Sequence, residues 1–142
     1  MAAVMTMDAE WLDGLLARER GRQIDRVRAS LSRRRFPITR ELDTQEAIAE
    51  TLDRFGILYE RERPLAVSGG RIDFYIPTCQ IGLEVKVKGT PVAVIRQLQM
   101  YAQSPEVEAL MLVTGRGAIG RAIPERLLGK PVFVVELWRS ML

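Results

Sequence analysis

The 142-residue chain has no histidine, one cysteine, three lysines and no long hydrophobic run. Each of these absences removes a class of function. Without imidazole there is no Ser-His-Asp or Cys-His catalysis and no histidine-ligated zinc. Cys79, standing alone, makes neither an intramolecular disulfide nor a cysteine-rich metal cluster. No apolar run approaches the roughly 20 residues of a membrane-spanning helix. The first ten residues carry two acids and lack the basic start and long apolar core of a secretory signal. The chain is therefore expected to be cytoplasmic, with no membrane partner.

What remains is an ordinary globular composition, 47% hydrophobic and 27% charged, enough for one domain that folds without disulfides. The net charge of +3 is unevenly spread. Residues 1–40 hold nine arginines and five acids, whereas residues 41–142 hold twelve basic and thirteen acidic residues. Arginine outnumbers lysine 18 to 3, which suits bidentate phosphate contacts but also follows from a GC-rich coding genome.

Periodicity divides the chain in two: a basic helical extension over 1–40 and a domain over 41–142. Trp11, Leu12, Leu15, Leu16, Ile24, Val27 and Leu31 recur at helical spacing, predicting a helix over 8–34 with a break near Gly21. A second helix is expected over 44–54, capped by Asp43 or Thr44 and stopped at Gly56. Extended segments at 57–65, 71–76 and 81–87 suggest an antiparallel meander. A helix over 92–103 follows, beginning near Thr90-Pro91. The run 108–114 reads as a buried parallel strand, 118–128 as a short helix and 131–137 as a last strand. This order is an α/β layer fold with a mixed sheet flanked by helices.

Chemistry concentrates in two of these strands. Side chains alternate faces along a strand, so Glu84, Lys86 and Lys88 share one face, and Arg71, Asp73 and Tyr75 share one face opposite Ile72, Phe74 and Ile76. Pairing the strands as a hairpin brings Asp73 and Glu84 together with Lys86. Two adjacent carboxylates repel unless a cation compensates them, and Mg²⁺ takes one or two protein carboxylates. Acid, acid, lysine and Mg²⁺ form a complete set for phosphodiester hydrolysis. The competing reading is a solvated ion-pair ladder. On the following helix Gln97 and Tyr101 share a face.

The helix–βββ–α–β order, with Gly70-Arg71-Ile72-Asp73, Glu84-Val85-Lys86 and Gln97-Leu98-Gln99-Met100-Tyr101, resembles the PD-(D/E)XK nuclease superfamily. The likeness is greatest to its RecB-like and phage-type branches, which carry a Q-x-x-x-Y motif. It covers about residues 44–115, with Ile72 where the naming proline would stand. The resemblance implies a restriction-endonuclease-like core and Mg²⁺- or Mn²⁺-dependent DNA cleavage. Asp73 and Glu84 would be metal ligands, and Lys86 would hold the attacking water. Gln97 and Tyr101 would help hold DNA and the active site. A further acid on the first core helix is matched best by Glu46, with Glu50 second; Glu46 also suits a capping box with Asp43. Lys88, Arg96, Arg33, Arg34 and Arg35 are candidate contacts to the DNA backbone.

The expected activity is a structure-directed or weakly specific DNA endonuclease using no small-molecule cofactor. The alternative is a catalytically silent DNA-binding or assembly module on the same scaffold. The leading helix packs either on the core or on a second subunit, as in a homodimer, with its arginines solvated or against DNA.

Overall fold

Apolar runs of period two alternate along the chain with stretches of period three to four, and in the folded protein this alternation becomes layers. The computed structural model describes residues 8–67 and 69–139. It opens with α1 (Ala9–Leu31), β1 (Arg35–Phe36) and α2 (Glu41–Arg54). β2 (Glu60–Pro64), β3 (Arg71–Ile76), β4 (Ile81–Lys86), α3 (Pro91–Ala102) and β5 (Ala109–Thr114) follow. The chain then forms α4 (Gly117–Ala122), β6 (Arg126–Leu127), β7 (Lys130–Glu136) and β8 (Trp138–Arg139).

β2 to β7 form a six-stranded mixed sheet in the order β2-β3-β4-β5-β7-β6. The β2–β3–β4 meander is antiparallel, and β4, β5 and β7 run parallel. β5 is buried at all six positions, because helices cover both faces of the sheet. On one face Phe74, Ile76, Leu83, Val85, Met111 and Val113 pack with Ile48 and Leu52 of α2 and Ile24, Val27 and Leu31 of α1. On the other, Tyr75, Leu110 and Leu112 pack with Val94, Leu98 and Tyr101 of α3 and Ile119 of α4. The C-terminal half of α1 therefore belongs to the core of the 41–142 unit. No helix among the described residues is long and apolar enough to cross a membrane.

Several elements differ from the sequence reading. α1 runs unbroken through Gly21 and stops at Leu31, and residues 35–36 pair in parallel with 138–139 instead of extending the helix. Starting at Glu41, α2 begins three residues before the expected position. Asp43 does not cap it, since its carboxylate is held by Arg40 at 2.9 Å, and the Thr44 hydroxyl donates back to the Pro37 and Arg40 carbonyls. The stop at Gly56 is as expected: with φ +67° it lets the Ile57 amide donate to the Leu52 carbonyl at 2.9 Å. Only 60–64 of the expected strand 57–65 forms.

Ile72 departs from the alternation. It packs beneath α3 with Tyr75, whereas Phe74 and Ile76 face α2. Gly82 on β4 makes this possible, because a Cβ there would collide with the Ile72 Cδ1.

Candidate active site

The β3–β4 ladder is regular from Ile76↔Ile81 to Phe74↔Leu83 and ends there, while β4 continues beside β5 as far as Lys86↔Thr114. The next residues on the two separating strands are Asp73 and Glu84. In place of a ladder bond, the Val85 amide donates to Asp73 Oδ2 at 2.8 Å. This bond turns the Asp73 carboxylate across the gap towards β4.

Glu84 is 3% exposed, which disposes of the solvated-ladder reading. Its Oε1 accepts from Gln97 Nε2 at 3.4 Å and lies 3.8 Å from Lys86 Nζ. Its Oε2 is buried with no hydrogen-bond partner. Gln97 Nε2 also donates to the Tyr101 hydroxyl at 2.7 Å, and that hydroxyl donates to the Arg71 carbonyl at 2.8 Å. Tyr101 thus ties α3 to the start of β3, and Gln97 carries the restraint to Glu84. Asp73, Glu84, Lys86, Gln97 and Tyr101 are brought together around the point where the strands part.

Burial sets the electrostatics. Loss of water, followed by the Asp73 charge, raises the Glu84 carboxyl to about 9, with Lys86 opposing. Burial also raises Asp73, against the Val85 amide. The Tyr101 hydroxyl is pushed up by burial and by Glu84. Without a compensating cation, the pair keeps a proton.

The helix acid is not where the sequence reading put it. Glu46 is exposed and pairs with Arg61 on β2 at 2.7 Å, and Glu50 is exposed and reaches Arg34 at 3.4 Å. Neither joins the cluster. Because α2 begins early, the acids of its first turn are Glu41 and Asp43; Arg40 holds Asp43, and Glu41 is the one within electrostatic reach of Asp73 and Lys86. Burial raises the Glu41 carboxyl, the charges of Lys86 and Lys88 lower it, and that of Asp73 raises it. Its Oε1 is buried without a partner. The preference of acids for a helix's first turn is the signal that could have found Glu41, had the helix start been read correctly.

The candidate phosphate contacts are scattered. Lys88 and Arg96 are exposed, one just past Lys86 and the other beside Gln97. Arg33 is exposed, while Arg34 stacks over Phe36 and Arg35 over Trp138.

Among the described residues no group of three or more Asp, Glu, His and Cys side chains is placed to hold a metal ion. The residues nonetheless fit one Mg²⁺ or Mn²⁺ held by two carboxylates, since both ions accept oxygen ligands and retain waters. Asp73 and Glu84 lie within hydrogen-bond reach of each other when one is protonated, and with both ionised Glu84 Oε2 has no donor, a place a cation would fill. Comparison of this chain with protein families, curated proteins and solved structures finds no match.

Proposed function

We propose that this chain is a metal-dependent DNA endonuclease of the PD-(D/E)XK type, with Asp73 and Glu84 as the cation's protein ligands. The observation that carries this reading is the buried Glu84 carboxylate beside the partly buried Asp73 carboxylate and Lys86 where β3 and β4 separate, with no donor to Glu84 Oε2. Such a group is costly to bury and contributes nothing to packing. The meander, crossover helix and parallel strand around it are the elements that the resemblance implies.

When bound, a divalent cation supplies Lewis-acid polarisation of a phosphate oxygen and acidifies water. The chain's own residues do the rest. Asp73, fixed by the Val85 amide, and Glu84, fixed by Gln97, present oxygens to the cation. Lys86 Nζ is partly exposed beside Glu84, where it donates to the attacking water and offsets the charge that grows on the phosphate. Tyr101 and Gln97 are positioning residues. Glu41 adds negative charge from the α2 side. Lys88 and Arg96 contact the DNA backbone, and cleavage is structure-directed or weakly specific.

The test is cleavage of labelled plasmid, duplex, single-stranded, flap and four-way-junction DNA with Mg²⁺ or Mn²⁺. Wild type should cut at least one substrate, and Asp73→Asn should cut none while melting normally. Binding without cutting on every substrate would replace the enzyme with a silent DNA-binding module.

A further inference from the structure

The parallel strands β4, β5 and β7 end level with one another, Lys86 beside Thr114 and Thr114 beside Glu136. Open α/β sheets bind ligands at this carboxyl edge, and Glu84 and Lys86 lie on it. What leaves each strand there is basic. Lys88 follows β4, Arg116 follows β5, and Arg139 in β8 follows β7; all three are exposed. Among the described residues no carboxylate pairs with any of them. Residues 35–41 run back along the same edge: Arg35 pairs with Trp138, Ile38 fills the space over Gly115, and Glu41 feels the charges of Lys86 and Lys88. The acids of the edge each have a basic neighbour. Glu41 has those lysines, Asp43 is held by Arg40 at 2.9 Å, and Glu136 converges with Arg121 over Gly117.

One aromatic side chain stands among these cations. Trp138 is 63% exposed. The Arg35 guanidinium lies over its ring, 5.7 Å from the centre, and Arg35 Nη1 donates to the Arg139 carbonyl at 3.2 Å. A lone exposed indole is ordinary on a protein surface. An indole flanked by unpaired arginines on the edge that carries the candidate site is a different matter. Aromatic faces for bases and cations for the backbone are how proteins hold single strands. A duplex keeps its base faces stacked inside, so only an unpaired nucleotide can use the ring. Glu136 stands about 10 Å from Lys86, two strand spacings away, and Trp138 comes two residues later. That distance is about three nucleotides at the 3.4 Å rise of one DNA strand.

We propose that the carboxyl edge of the sheet is a track for an unpaired DNA strand, with Lys88, Arg116 and Arg139 on its phosphates and Trp138 stacked on one base about three nucleotides from the bond cut. The proposal rests on the endonuclease reading for the position of the cut. It narrows the substrate to DNA with a single-stranded segment, such as a flap or a splayed end.

The experiment is fluorescence anisotropy of the full chain in chelator, with labelled oligo(dT), a splayed duplex and a blunt duplex, over a salt series. Wild type should bind the first two more tightly than the blunt duplex. Trp138→Ala should weaken binding to those two by ~10-fold, the loss of one stacked base, and leave the blunt duplex unchanged. Trp138→Phe should restore most of the loss. Arg116→Gln/Arg139→Gln should reduce the slope of log K against log salt on oligo(dT) by about 1.4, two phosphate contacts. Trp11→Phe leaves Trp138 as the only indole in the chain, and oligo(dT) should quench its emission. A wild type that binds no single strand, a Trp138→Ala loss that is absent or equal on the blunt duplex, or an unquenched emission would each overturn the proposal. Cleavage with Mn²⁺ separates the two claims. Trp138-dependent binding by a chain that cuts nothing removes the endonuclease and keeps the track. Cutting that is indifferent to Trp138→Ala removes the track and keeps the endonuclease.

Discussion

Replacing Glu84 with glutamine keeps the shape of the side chain and removes its proton. In the metal-free protein, burial and the Asp73 charge hold this carboxyl at about 9, against 4.5 when exposed. The folded state therefore binds more protons than the unfolded state between these values. A raised carboxyl pKa makes wild-type stability fall as pH climbs from about 4.5 to about 9. At pH 7 the penalty is about 3 kcal/mol, a large part of a small domain's stability. Glutamine has no proton to retain and escapes it. Glu84→Gln should thus be nearly as stable as wild type at pH 4.5 and more stable by about 3 kcal/mol at pH 7. Urea unfolding in chelator at pH 4.5, 6, 7 and 8 reads the difference directly. A stability gap that does not grow with pH, or a variant less stable than wild type at pH 8, would refute the assignment of a buried, protonated Glu84.

Other substitutions separate the roles assigned above. Lys86→Met should leave cation binding intact and reduce cleavage by ~10²–10³-fold in single-turnover assays, the usual cost of losing one charge-stabilising donor. Glu41→Gln should weaken Mn²⁺ affinity by about tenfold in calorimetric titration, whereas Glu46→Gln, which removes only an exposed ion pair with Arg61, should change neither affinity nor cleavage. Gly82→Ala forces a methyl group into Ile72 and should cost about 1–3 kcal/mol, read as a drop of several degrees in Tm.

Much of the scaffold was legible because the chain punctuates itself. Thr90 and Pro91 start α3 as expected, with the Thr90 hydroxyl accepting from the Ala93 amide at 3.3 Å. Of the run 108–114, residues 109–114 form the buried parallel strand it suggested. Glu84, Lys86, Gln97 and Tyr101 converge because strand and helix periodicity fix their directions, whereas Asp73, beside the break in alternation, is turned towards β4 by the Val85 amide. The start of α2 misled because Asp43 and Thr44 are favoured caps. Arg40, with no capping side chain, is the residue found there, and the earlier start puts Glu41, not Glu46, in the first turn within electrostatic reach of Asp73 and Lys86. Faces were harder still at Ile72, because its direction depends on the missing Cβ of Gly82, ten residues further along the chain. The β1–β8 pair joins residues a hundred positions apart, which no local pattern encodes.

The central claim is that Asp73 and Glu84 together hold one divalent cation, and its most direct measurement is calorimetric titration of the metal-free full chain with Mn²⁺ at pH 8. Wild type should bind one ion per chain and release protons as it does so, and Asp73→Asn should bind none. No binding to wild type, or equal binding to the variant, would contradict the account.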